Sequence, residues 1–432
     1  MHERPVRMCP RGLARRELLL GAAAGATLGG AGMWAASRWS LQHQSAESPI
    51  ATDLQGLGIP GPYPGRVIEV HHPEAAKGNV RNRDAVRQMV RRGVQELTGA
   101  DSWIDGWRVL FKRGDRVGIK VVPVGRPDSI SSHEVVLETI VALTKSGIRA
   151  NDILVFDRYE NEFRSCDYDK ILPDGVHWEC ESVAYDDPQV NLDGQLPEIP
   201  RSKHVSGYDP DVFRELAFCL PQHHPDDDRR FRSHLSMIIS RKVDKFISIP
   251  VMKDHRSSGV TLSLKNLSHG SVNNVSRSHI INYKPEKQAY ESGLTLNQCG
   301  TFIPSIVSLP KLRQKAVLQI LDGLVATYEG GPGIWNKTFA TWNANSLFFA
   351  TDPVALDHIG WQIIDAKRAA EGWPPVATMG LEGNKNMVEK DGMSIPSEQL
   401  PMRQPEHIPL AATLGLGVFA QHRIDHRKID LG

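Results

Sequence analysis

Four apolar runs in this chain end in the same way: a short β-branched or aromatic stretch hands over to a charged side chain. Asp152-Ile-Leu-Val-Phe ends at Asp157, and the run Lys245 to Val251 is followed by Lys253 and His255. Lys315 to Leu321 ends at Asp322-Gly323, and Ser346 to Ala350 ends at Thr351-Asp352-Pro353. The first of these completes a larger unit. Asp115 to Val122 reads as a strand, Ser132 caps a helix from His133 to Ser146 that Gly147 stops, and the next strand follows at once. A strand, a helix and a strand within about forty-five residues make a parallel crossover the natural topology. The expected fold class is therefore α/β, a mainly parallel sheet flanked by helices, with a loop-rich insertion from about residue 158 to 230, where apolar runs are short.

In open α/β sheets ligands sit beyond the carboxyl ends of the strands, near helix N-termini whose free N–H groups attract anions. Parallel strands would collect Asp157, Lys253, Asp322 and Asp352 along one rim. The stretch 244–279 is the centre of that expectation. Its strand leads into Lys253-Asp254-His255, then into Ser-Ser-Gly punctuation and a second apolar segment carrying Lys265 and Asn266. A Lys directly after a buried strand is desolvated unless an anion pairs with it. Lys253 and Lys265 are thus expected to hold a carboxylate or phosphate, with Asn266, a helix start after Gly259, and the backbone of Gly330 and Gly331 assisting. His255 is the candidate acid/base, oriented by Asp322 or Asp157. A divalent metal is the cofactor that His255, His279 and Asp352 would suit. Each residue also has a plain structural role open to it: Asp352 before Pro353 suits a helix N-cap, and Asp322-Gly323 and Asp157 suit turns.

The front of the chain is different. Arg4, Arg7, Arg11, Arg15 and Arg16 precede an uncharged Leu/Gly/Ala stretch from Leu18 to Ala36. Residues 1–40 therefore read as an export segment resembling a twin-arginine signal, whose partner would be the twin-arginine export machinery and whose destination the periplasm. An uncleaved segment would be the one route to a membrane. Residues 41–65, rich in Ser, Gly and Pro, read as a linker or irregular arm. Formal net charge is +1, but residues 1–40 hold six Arg against two acids, leaving 45 basic and 48 acidic residues elsewhere, a net of −3. That balance excludes a general basic field for nucleic acid. Beyond Cys9 the cysteines are Cys166, Cys180, Cys219 and Cys299, whose spacings match no zinc or iron–sulfur pattern. They read as free buried thiols. The acidic tract Asp226 to Asp228 beside His223-His224 reads as a solvated loop, and Phe231 to Lys242 as an amphipathic helix.

Several of these segments resemble one family. Arg66-Val-Ile-Glu-Val-His-His, Asp115-Arg-Val-Gly-Ile-Lys, Pro250-Val-Met-Lys-Asp-His, Thr261-Leu-Ser-Leu-Lys-Asn, Asp322-Gly, Glu329-Gly-Gly-Pro and Thr351-Asp-Pro-Val-Ala-Leu-Asp are together similar to the bacterial family catalogued as domain of unknown function 362. The resemblance spans residues 66–425 and implies one α/β domain there. Some members of that family carry ferredoxin-like cysteine clusters; this sequence lacks them, so no iron–sulfur cluster is expected. Val122 stands where the family's Asn is expected. The expected function is an exported α/β protein with an anion-accepting active site, an enzyme on a small anionic substrate. The alternative is a periplasmic ligand- or cofactor-binding or assembly protein without catalysis.

Overall fold

Period-2 alternation along the strands determines how this chain layers. In the strand Ser346–Ala350, Leu347 and Phe349 enter one apolar cluster while Phe348 and Ala350 enter another. A computed structural model describes residues 58–183, 207–215, 232–255, 257–273, 299–334, 338–378 and 405–432, with a few isolated positions between them. The chain divides into Met1–Gln55 and Gly56–Gly432, and the fold is that of the second unit. The expected signal segment and Asp226–Asp228 lie outside the described residues.

Eleven strands of the described residues form one sheet: β1 (Arg66–His71), β2 (Val117–Lys120), β3 (Ile153–Tyr159), β4 (His177–Ser182), β5 (Lys245–Ser248), β6 (Val251–His255), β7 (Gly259–Thr261), β8 (Ala316–Glu329), β9 (Ala340–Trp342), β10 (Ser346–Ala350) and β11 (Asp425–Asp430). The main path runs β11-β1-β10-β8-β5-β2-β3-β4. Strands β8, β5, β2, β3 and β4 are mutually parallel, and β10 runs antiparallel between β1 and β8. This is the expected mainly parallel α/β sheet.

Helices cover both faces. On one face α1 (Arg83–Thr98), α2 (Trp103–Leu110) and α3 (His133–Ser146) send Met89, Trp107 and Ile140 against Ile119, Val155, Ile247 and Phe349. On the other, α5 (Ser263–His269), α6 (Cys299–Val307) and α7 (Pro353–Ala370) pack Leu264, Phe302 and Leu356 against Phe156, Phe246 and Phe348; the short α4 (Glu160–Ser165) follows β3. The stripe Val86, Met89, Val90, Val94 and Leu97 fixes α1 on the sheet, each side chain contributing roughly 2 kcal/mol on burial. Asn82 caps its start by accepting from the Asp84 and Ala85 N–H groups, and Gly99, in the left-handed region at φ 70°, ends it.

Three elements differ from the sequence reading. Arg232–Ser236 is a strand, not a helix: it pairs antiparallel with Tyr208–Glu215, and only the single π turn Ile238–Lys242 follows. A partner strand outweighs the local apolar spacing there. Strand β8 does not stop at Leu321. It runs on to Glu329 because β6, continuing the line of β5 past Pro250, supplies a second parallel partner, and the Asp322 N–H donates to the Pro250 carbonyl. Within the expected insertion, β4 is an ordered member of the main sheet. Residues 58–65, at the end of the expected arm, are packed: the Ile59 N–H donates to the Arg313 carbonyl, and Arg313 Nε donates back to the Ile59 carbonyl.

Candidate functional site

The carboxyl ends of β2, β3 and β6 meet α5 around a cavity of about 240 Å³. Lys120, Asp157, Arg158, Glu162, Lys253, His255, Thr261, Lys265, Asn266 and His269 contribute to its wall, with Pro332 from the glycine-rich loop. Five of the residues singled out from sequence, Asp157, Lys253, His255, Lys265 and Asn266, are therefore together.

Alternation along β6 explains the choice of side chains. Lys253 and His255 lie on one side of the strand and Asp254 on the other. Lys253 is fully buried, and its Nζ donates to the Val124 and Ser129 carbonyls. Those carbonyls belong to the loop after β2, which Ser131 ties to the sheet by accepting from the Val122 N–H and donating to the Ile249 carbonyl. No carboxylate of the described residues lies within ion-pair distance of Lys253. Burial and the nearby Lys265 charge pull its amine down to about 7, against the partial support of Glu162 and Asp254.

His255 accepts two backbone N–H groups at Nδ1, from Ser257 at 2.9 Å and Ser258 at 3.3 Å. That network assigns the proton of the neutral ring to Nε2. Metal ligation through Nε2 would need the proton on Nδ1, where both N–H donors already point. Asn266 is held by its Nδ2 donating to Ser248 Oγ at 2.8 Å.

Lys120 and Asp157 form a buried pair at 3.0 Å, and Lys120 Nζ also donates to the Val121 carbonyl. Gly270 makes room for it. A Cβ there would lie 2.3 Å from Lys120 Cε and Nζ. Glu162 pairs with Arg126 at 3.3 Å; burial, then the neighbouring Asp157, raise its carboxyl above the ordinary range. Arg158 Nε donates to Tyr208 Oη and its Nη1 to the His269 carbonyl, while its buried Nη2 has no partner among the described residues. Lys265, 7% exposed, likewise has no described partner for its Nζ. Burial, with Arg158 repelling from nearby, lowers its amine to about 8.

Other expected members lie elsewhere. Asp352 sits at the opposite end of the sheet, because β10 runs antiparallel to β8 with Gln319 opposite Ala350 and Gly323 opposite Ser346. Its carboxylate caps α7 through the Val354 and Ala355 N–H groups and accepts from Gly65 and Val418 as well. It therefore cannot join His255 on a metal. Asp322 lies inside β8, accepting from the Ser132 and Leu324 N–H groups, and serves the start of α3 instead of the cavity. Gly330 and Gly331 use their N–H groups on the chain's own Asp254 at 3.1 and 2.7 Å. The N-terminus of α5 is likewise filled, since the Ser263 and Leu264 N–H groups donate to Asp357 at 2.7 and 2.8 Å. His279 lies outside the described residues, among which no group of three or more His, Cys, Asp or Glu could hold a metal ion. Cys166, Cys180 and Cys299 are free thiols, and Cys219 lies outside the described residues.

Lys120, Arg158, Glu162 and His269 are the wall residues that sequence reasoning missed. Lys120 carried the same signal as Lys253, a Lys within a β-branched buried run. Arg158, near the end of β3, and Glu162, in α4 just after it, fall in a stretch read as insertion.

Comparison with protein families matches residues 228–362 to Domain of unknown function (DUF362). The matched segment carries Lys253, His255, Lys265 and Asn266, while Lys120, Asp157 and Arg158 precede it. A comparison with curated proteins finds no match. Among solved structures, the crystal structure of a Thermotoga maritima protein from a structural genomics programme aligns with TM-score 0.31 at 10% identity, covering 57% of this chain and 51% of that one. The chain thus spans about half the length of that protein. No helix of the described residues is long and apolar enough to cross a membrane.

Proposed function

We propose that the pocket formed by the matched segment and the strands before it is the active site of an exported enzyme acting on a small anionic substrate. The observation that carries this reading is a charge imbalance. Lys253, Lys265 and Arg158 converge on one cavity without a carboxylate of the described residues paired to any of them, whereas Asp157 and Glu162 are taken by Lys120 and Arg126. Buried cations without counter-ions are costly, and a bound anion offsets that cost.

Lys265 and Arg158 hold the anion in this reading, and Lys253 moves a proton. As a neutral amine Lys253 can satisfy the Val124 and Ser129 carbonyls with its two hydrogens and keep its lone pair for the substrate. As an ammonium it has a third hydrogen to return. An amine drawn down to about 7 exchanges between these forms near neutral pH. His255, its proton on Nε2, donates to developing negative charge and is not the base.

The test starts from anion binding. Small anions that bind the protein, found by calorimetry, are incubated with it in D2O and followed by NMR for deuterium incorporation or conversion. Deuterium uptake in wild type, lost in Lys253→Met with binding retained, supports the enzyme. Tight binding with neither exchange nor conversion supports the non-catalytic ligand-binding alternative. Export rests on Arg15-Arg16 ahead of the uncharged run: Arg15→Lys with Arg16→Lys should retain the protein in the cytoplasm, and undiminished periplasmic delivery would refute that route.

A further inference from the structure

We propose that the ligand of this pocket carries a phosphoryl dianion and is a small phosphate monoester. The inference rests on the anion reading above and narrows it to one chemical class. Arg158 and Lys265 carry it. Arg158 is 6% exposed and spends two of its donors on neutral acceptors, the Tyr208 hydroxyl and the His269 carbonyl, which contribute no charge. Its third edge, Nη2, is buried without a described partner. Lys265, comparably buried, keeps all three N–H donors of its ammonium, and Arg158 is near enough to depress it.

Two cations facing one cavity set the charge of what neutralises them. A monocarboxylate brings one negative charge and two acceptor oxygens, leaving a buried positive charge uncompensated. A phosphate monoester brings a charge of about −1.5 to −2 near pH 7 and three terminal oxygens. Those oxygens accept from the Lys265 ammonium, and the Arg158 guanidinium in the same wall supplies the second positive charge. The dianion also draws Lys265 toward its charged form, which adds to the attraction. Size limits the rest of the molecule. A cavity of about 240 Å³ lies below the roughly 300–1,000 Å³ of drug-sized sites, a volume that suits a phosphate on a short stem.

The experiment uses the full-length protein and isothermal calorimetry with inorganic phosphate, methyl phosphate, acetate and lactate near pH 7. Phosphate and methyl phosphate are expected to bind at least tenfold more tightly than acetate and lactate. Lys265→Met, which keeps the aliphatic stem, should weaken phosphate at least tenfold. Arg158→Lys, which retains a cation but not the guanidinium edge, should weaken it by a similar factor, with folding of both variants verified by thermal unfolding. Carboxylates binding as well as phosphate would overturn the phosphoryl assignment and leave the anion site standing. Binding of none of the four would overturn both. Phosphate affinity unchanged in Lys265→Met would move the phosphate out of this pocket and overturn the inference.

Discussion

Replacing Lys253 with Met should flatten the pH dependence of this protein's stability. Lys253 is fully buried, and its amine falls from an ordinary value of 10.5 to about 7, chiefly through lost hydration and then through Lys265. Between those values the unfolded chain binds a proton that the native state releases, so native stability rises with pH across that window. The penalty is fully present below pH 7 and is gone once pH exceeds the unfolded value. At about 1.36 kcal/mol per pH unit the full effect is roughly 5 kcal/mol, of which about 3 kcal/mol falls between about pH 6 and 9.5. Met opposes part of the gain, because the Val124 and Ser129 carbonyls lose their donor, at about 1–3 kcal/mol each. That loss does not depend on pH, so it displaces the curve without changing its slope. Lys265, Glu162, Asp254 and Cys166 also act on Lys253. They remain in the variant, and Lys265, relieved of one like charge, recovers part of its own proton affinity. Guanidinium unfolding of both proteins across this range, at matched denaturant slopes, measures the difference. Stability curves that run parallel within about 0.5 kcal/mol would refute the desolvated-amine argument.

Three other substitutions separate structural roles from the pocket. Gly331→Ala sets a Cβ 2.1 Å from the Asp254 carbonyl oxygen and 2.6 Å from its Oδ1, so unfolding experiments should show a loss of about 3 kcal/mol as the loop is pushed off. Gly270→Ala intrudes on Lys120, and disturbing the Lys120–Asp157 pair should cost about 2 kcal/mol with a measurable loss of anion affinity by calorimetry. Asp352→Ala leaves up to four backbone N–H groups without their acceptor and should lower stability by about 2–4 kcal/mol while leaving anion affinity unchanged, because its site is at the other end of the sheet.

The architecture was legible where local chemistry decides it. Ser132 and Gly147 bracket α3 as their types require, and the apolar stripe from Val86 to Leu97 reads as α1 before any contact is known. Strand direction was not legible. The run Ser346 to Ala350 looks like every other strand that ends in an acid, but it is antiparallel to β8, and that reversal carries Asp352 away from the rim. Strand length was hidden for a related reason: β8 continues past Asp322 because β6 is there to pair with it, a partner more than sixty residues earlier in the sequence. Lys120 shows the opposite failure. The desolvation argument that singled out Lys253 applies equally to a Lys in Val-Gly-Ile-Lys-Val-Val, and the structure buries both in one cavity wall.

The anion receptors expected from sequence are present but already used internally. The N-terminus of α5 holds Asp357 and the Gly330-Gly331 backbone holds Asp254; the start of α7, expected only to be capped, likewise holds Asp352. Burial raises all three carboxyls, Asp254 to about 7 and Asp352 to about 6, and the donated N–H groups act against that rise. Backbone N–H groups thus compensate these three acids. Of the cations around the cavity, Lys120 and Arg126 are neutralised by Asp157 and Glu162, and Arg158, Lys253 and Lys265 are left to face neutral acceptors or none. In the reading proposed above, these cations without a paired acid make the cavity a positive site, which a ligand from outside would complete.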